Sequence, residues 1–236
     1  MKKAEQKSEW SQKENDKVSV QLAELNSPDL GKRKYWDDAY LREMTYFNEF
    51  GQVGEVWFGA ESEEKIFEWI NSNITDHGTN ILEVGCGNGH LLLELATMAF
   101  TSLLGVDYSQ HAIDLASAIA RERGLDGVIA YRRIDFMRDE LEGSFGLIID
   151  KGTYDTISLN SESVSSTGNG LARQYSHRVG ELLEDSGVLL ITSCNWSVDE
   201  LKKHFANELE YHSHVHSSLK GAPGKTICTI AFRKKL

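Results

Sequence analysis

Ile81-Leu82-Glu83-Val84-Gly85-Cys86-Gly87-Asn88-Gly89-His90 is the stretch that decides the fold. An apolar run carrying one carboxylate ends in three glycines at alternate positions, and an apolar helical pattern starts at His90. The order is strand, tight turn, helix. Glycine admits left-handed backbone and carries no Cβ, so the turn is expected to press its backbone against a bound ligand.

The same alternation continues downstream. Apolar strand candidates fall at 80–85, 102–107, 128–133, 146–150 and 188–193, and helix candidates at 90–98, 110–123, 172–184 and 198–206. Such alternation predicts an α/β fold, a parallel sheet covered on both faces. Ser109 is placed to cap the second of these helices and Gly124 to end it. Residues 161–170, rich in Ser, Gly and Asn, read as an exposed loop. The tail differs: 208–216 and 226–232 read as strands joined by the turn-rich Ser217–Gly224, a closing hairpin that would add an antiparallel strand.

Upstream of the glycine turn, Trp36, Tyr40, Phe47 and Phe50 recur at helical spacing before Gly51, so Tyr35 to Phe50 reads as a helix. A loop, Gly54-Glu55-Val56-Trp57-Phe58-Gly59, follows, and Ile66, Ile70 and Ile74 mark one face of a second helix. Residues 1–30 are rich in Lys, Glu, Gln, Ser and Asn and read as disordered. The remainder, 31–236, reads as one domain with a helical N-terminal lid over about 31–75.

Composition narrows the function. No apolar run approaches the roughly 18 residues of a membrane span, and the polar opening Met1-Lys2-Lys3 is unlike a signal peptide. Cys86, Cys194 and Cys228 are an odd set without CxxC spacing, which points to a reducing, intracellular setting. The net charge is −11; residues 1–35 hold eight basic and six acidic residues, leaving −13 on the rest. That body offers no footprint for nucleic acid and suits a basic protein partner.

A dinucleotide-binding turn would place a glycine at position 90, where this chain has His90. The spacing Gly85, Gly87, Gly89, with Glu83 on the strand, instead resembles motif I of class I S-adenosylmethionine-dependent methyltransferases. Asp107 ends the second strand, followed by Tyr108, where carboxylates of doubly wound sheets accept from ribose hydroxyls. Asp135 and Phe136 follow the third strand; in the methyltransferase pattern this acid faces the adenine amino group with an apolar neighbour beside the ring. Asp150 ends the fourth strand. Plainer roles stand beside these: Asp107 as a helix cap, Asp135 as a turn residue, Glu83 as an acceptor for the loop amides, Cys86 as a small filler inside the loop, and His90 as a structural residue. His212, His214 and His216 alternate along a strand and read as a solvated face rather than a metal site.

Further segments carry a narrower resemblance. Tyr35-Trp36-Asp37-Asp38-Ala39-Tyr40, the Gly54–Gly59 loop, Asp150-Lys151-Gly152-Thr153-Tyr154-Asp155-Thr156-Ile157 and Ile191-Thr192-Ser193-Cys194-Asn195-Trp196 resemble the eukaryotic elongation factor 1-alpha lysine methyltransferases of the methyltransferase-like group. The resemblance spans about residues 30–236. It implies a seven-stranded, mostly parallel Rossmann-like sheet, S-adenosyl-L-methionine as methyl donor, and transfer to a lysine ε-amine of elongation factor 1-alpha by a cytosolic protein. The Asp-Lys-Gly-Thr run stands where many amino-group methyltransferases of nucleic acids carry Asn/Asp-Pro-Pro-Tyr, which argues against those substrates.

A free lysine has a pKa of about 10.4, so the protein must supply a neutral amine. Asp150 is expected beside that amine, with Tyr154 as a wall residue on the same loop. Trp57 and Trp196 are expected to box the donor or the lysine stem, and Trp36 and Tyr40 to close a lid over the donor. A monomer is expected, with neither a nucleic-acid nor a membrane partner and no metal. Two other readings remain open here: a methyltransferase of small metabolites, and a donor-binding scaffold without catalysis.

Overall fold

The computed structural model describes residues 28–159, 170–218 and 227–235. The segment 1–27, the loop 160–169 and most of the Ser217–Gly224 turn lie outside the described residues.

Pro28–Gly31 forms a 3-10 helix that buries Leu30, so regular structure begins just ahead of the expected lid. Two helices follow, α1 (Arg33–Phe50) and α2 (Gly59–Asn73). Then come β1 (Ile81–Val84), α3 (His90–Thr97), β2 (Leu103–Asp107), α4 (Gln110–Glu122) and β3 (Ile129–Arg133). The second half runs β4 (Phe145–Lys151), α5 (Thr153–Leu159), α6 (Gly170–Leu182), β5 (Leu183–Ser193), α7 (Val198–Phe205), β6 (Leu209–Ser218) and β7 (Ile227–Lys234).

The seven strands form one sheet in the order β3-β2-β1-β4-β5-β7-β6. β1 through β5 are parallel to their neighbours, and β7 runs antiparallel between β5 and β6. This is the expected sheet, with its closing hairpin supplying two strands. The connection reverses beside β1: β2 lies on one side and β4 on the other, in register at Val84, Val106 and Asp150. Their carboxyl ends therefore meet, and ligands of open α/β sheets bind at such a reversal.

Side chains alternate across the sheet. Ile81, Leu147, Ile149 and Leu190 pack with Ile66 and Ile70 of α2 and with Leu92 of α3. Leu82, Val84, Ile148, Leu189 and Ile191 pack with Tyr154 of α5, Val179 of α6 and Phe205 of α7. Residues at strand ends inherit this parity, which decides the geometry of the site.

Two local expectations change. The run after Asp150 is a helix, α5, rather than a loop: Asp150 accepts hydrogen bonds from the first-turn amides of Thr153 and Tyr154 and so supplies its cap. Ser109 occupies the cap position of α4, but its buried hydroxyl makes no hydrogen bond; Asp107 Oδ1 instead accepts from Ser109 N at 2.9 Å. The histidine row of β6 is broken by register shifts at Tyr211/Ser213 and His214/His216. Among the described residues no His, Cys, Asp or Glu cluster could hold a metal, and all three cysteines are buried.

Candidate active site

The ends of β1, β2 and β4 open into a cavity of about 800 Å³, its mouth included. Glu83, Asp107 and Lys151 all line it. Each shares strand parity with the residues that face α2 and α3, Ile81, Leu103 and Ile149.

Glu83 is buried and its Oε2 has no hydrogen-bond partner. Burial pushes its carboxyl up to about 8, against the pull of Lys151. It does not serve the loop amides: Gly85 N and Cys86 N both donate to Val106 O, and Gly87 N donates to Asp107 Oδ2 at 3.2 Å. Asp107 thus braces the glycine turn while lining the cavity. Burial raises its carboxyl to about 6, opposed by the Ser109 and Gly87 amides.

The glycines are needed for packing as much as for a ligand. Gly87 has φ 53°, and a Cβ there would lie 2.6 Å from the Tyr40 hydroxyl. Gly85 has φ 68°, and its Cβ position is filled by Thr153, whose hydroxyl donates to Val84 O at 2.8 Å. Both line the cavity together with Cys86. Gly89 does not; it caps α3, and Tyr131 fills its Cβ position.

The roof comes from the N-terminal segment. Trp36, Tyr40 and Trp57 line the cavity, with Trp36 stacked on Tyr40 at 6.1 Å and edge-on to Trp57 at 5.1 Å. Trp36 Nε1 donates to Leu30 O at 2.7 Å, anchoring the lid to the 3-10 helix. Asn88 Nδ2 donates to Val53 O and Glu55 O, which ties the Trp57 loop to the glycine turn.

Several expected residues lie elsewhere. Asp150 has the parity of Ile148 and points to the opposite face, where it accepts from the Tyr175 hydroxyl as well as from the α5 amides. It does not line the cavity, so its expected place beside the amine is revised. Burial pushes its carboxyl up to about 7 even so. Tyr154 turns into the core between Tyr175 and Phe205, with its hydroxyl 2.8 Å from His204 Nδ1; Thr153 and Thr156 face the cavity instead. Trp196 packs on His204 and donates to Ser158 Oγ. Phe136 is a core residue against Tyr175.

Tyr108 and Asp135 share an adjoining cavity whose wall includes Trp36. There Arg33 Nη1 of α1 sits 2.5 Å from Asp135 Oδ2, and its guanidinium lies 4.5 Å from the Tyr108 ring centre. The lid therefore reaches both Tyr108 and Asp135.

Motif reading passed over Glu63, whose side chain is 3% exposed and lines the cavity from α2. Its oxygens lie 2.9 Å from His90 Nδ1 and 3.3 Å from Lys151 Nζ, and Lys151 also donates to Trp57 O at 3.2 Å. A signal existed: Glu63, Ile66 and Ile70 fall on one helical face, so a charge sits on an apolar stripe.

The Glu83 environment gives a pH signature. The folded carboxyl holds its proton up to about 8, against an ordinary 4.5. Stability from this group is complete below the unfolded value and is lost as pH rises through the folded one. Glu83→Gln should abolish that loss. Urea unfolding should show the variant gaining on the parent by a few kcal/mol between about pH 5 and about pH 9. A pH-independent difference would show that Glu83 is not the group responsible.

The donor set fits a nucleoside carrying a cationic amino-acid tail: a carboxylate at the end of β2 for sugar hydroxyls, an unpartnered buried carboxylate for an ammonium, and aromatic rings above. Sheet order and cavity together define a class I methyltransferase fold. Residues 75–232 match the family model described as a methyltransferase domain. Among solved structures, the N-methyltransferase NodS from Bradyrhizobium japonicum, in complex with S-adenosyl-L-homocysteine, superposes with a TM-score of 0.62 at 16% identity, covering 85% of this chain and 99% of that one.

Sequence relatives are more specific. The protein-lysine N-methyltransferase efm4 of Schizosaccharomyces pombe is 38% identical over 232 residues, 90% of this chain and 97% of the relative. EEF1A lysine methyltransferase 2 of Homo sapiens is 36% identical over 210 residues, 87% of this chain and 86% of the relative. The chain belongs to this family of protein-lysine N-methyltransferases.

Proposed function

We propose that this protein methylates a lysine ε-amine of translation elongation factor 1-alpha, with S-adenosyl-L-methionine as donor. The observation that carries the reading is the cavity itself, where Glu83 and Asp107 converge beneath an aromatic lid. The relatives' names supply the substrate.

When bound, S-adenosylmethionine supplies a methyl group already activated for displacement. The protein then has three tasks. Asp107 holds the ribose hydroxyls, with Gly87 N and Ser109 N keeping its carboxylate in place. Glu83 receives the ammonium of the methionine tail, and Asp135 with Tyr108 borders the base. Trp36, Tyr40 and Trp57 keep water out, which favours a neutral lysine over its ammonium. In-line alignment supplies several further kcal/mol. Asp150 and Tyr154 serve as positioning residues, fixing α5 so that Thr153 and Thr156 border the cavity. The remaining expectation, a monomer acting in the cytoplasm, belongs to the same reading.

Incubation with tritiated S-adenosylmethionine and a cell lysate tests it. Label on one band, located by mass spectrometry to a lysine of elongation factor 1-alpha, is the expected result. Label in small solutes would favour a metabolite enzyme, and no label would favour a scaffold.

A further inference from the structure

Two hollows share a wall. Glu63 and His90 line the main cavity and also line an open groove on the outer surface, between α2 and α3. They are therefore a partition between the buried site and solvent. The contact between them is direct, His90 Nδ1 to Glu63 Oε2 at 2.9 Å. On the cavity side, Glu63 Oε1 already faces an ammonium, that of Lys151 at 3.3 Å.

Resting on the lysine-transfer reading, we propose that Glu63 and His90 form a proton exit: Glu63 takes the proton that the acceptor ammonium must lose, and His90 passes it to the outer groove.

The proton balance is simple. An N–H bond of the acceptor ammonium breaks and its electron pair stays on nitrogen, leaving the nucleophilic amine. An O–H bond forms on the cavity-facing oxygen of Glu63. A half-turn of the carboxyl about its Cγ–Cδ bond presents that hydrogen to His90 Nδ1. The resulting imidazolium releases its Nε2 proton to water in the groove, and a tautomer exchange through that water, Nδ1 to Nε2, restores the bare Nδ1 while Glu63 is again a carboxylate. One proton leaves for each methyl group transferred.

The surroundings suit a relay better than a store. Burial raises the Glu63 carboxyl, but Lys151 and His90 together hold it below the usual glutamate range, so it is ionised and does not retain a proton. Lys151 approaches from β4 and Glu83 from β1 on the cavity side. Glu64 and Glu68 of α2 and Glu94 of α3 border the outer groove; Lys65 pairs with Glu68 and Arg123 with Glu94, which leaves Glu64 to favour a proton released there. His90 is the more exposed member, at 25%, against 3% for Glu63.

The test uses the full chain with its protein substrate. Glu63→Gln preserves shape but cannot carry the proton. It should lower kcat on the order of a hundredfold while donor affinity by calorimetry changes less than about twofold, and Glu63→Asp should recover part of the rate. His90→Ala should lose on the order of tenfold and regain it when imidazole is added to the buffer, an addition that leaves the parent unchanged. If kcat and donor affinity fall together in Glu63→Gln, or if imidazole leaves His90→Ala unrestored, the relay is wrong and the pair only packs α2 on α3. A parent protein that labels no lysine would instead overturn the transfer reading on which the relay stands.

Discussion

Asp150→Ala should lower the free energy of unfolding by about 3–5 kcal/mol and the thermal midpoint by on the order of 10 °C. Three donors lose their acceptor at once: the amides of Thr153 and Tyr154 and the Tyr175 hydroxyl. All three belong to elements packed on the far face of the sheet, where water cannot replace the carboxylate. An unsatisfied buried donor costs about 1–3 kcal/mol, and the three share one site, so their costs overlap. Asp150→Asn keeps one acceptor oxygen and should cost less. Urea denaturation followed by circular dichroism measures both. The protein that remains folded should transfer methyl groups at a rate within a few-fold of the parent. A variant of undiminished stability that has lost its turnover would return Asp150 to the amine.

The second large effect is on affinity. Asp107→Ala should weaken donor binding on the order of a hundredfold, because in the proposed reading its carboxylate is the charged acceptor for the sugar hydroxyls. S-Adenosylhomocysteine, which has the same sugar, should lose as much. Stability should fall more modestly, since Gly87 N and Ser109 N lose their partner at the edge of the turn. Calorimetry with both ligands, alongside a circular dichroism spectrum, decides the matter. Unchanged affinity with an intact spectrum would remove Asp107 from the donor site.

Much of this was legible before any coordinates. Strand, turn and helix succeed one another from residue 80 as the alternation of apolar runs predicts, and the closing hairpin follows from turn-rich residues between two short runs. Helix α5 was not legible, because its cap is Asp150, a residue that precedes it and reads equally well as the end of a strand. The site was half legible. Glu83, Asp107, Trp36, Tyr40 and Trp57, all singled out in the sequence, line one cavity. Asp150 and Tyr154 do not, and strand parity explains why: Asp150 is one residue from Lys151, so the two point to opposite faces. Counting back from Ile148 and Ile149 would have separated them. Phe136 was misplaced by analogy with an apolar wall, whereas its ring contacts are with the core. Glu63 comes from a helix outside the glycine motif, and only its place on an apolar stripe marks it.

Strand β7 lies inside the sheet although it stands late in the sequence, and its first residue, Ile227, packs with Leu30, Phe58 and Cys194. A nascent chain that has not yet delivered residues 227–234 thus leaves β5 with a bare edge and leaves the lid without part of its seat. Such an edge invites pairing with other chains, so the ribosome-bound intermediate is the vulnerable state of this protein. Assembly of the pocket therefore waits for this segment, and truncation ahead of it should yield aggregates rather than a weakened enzyme.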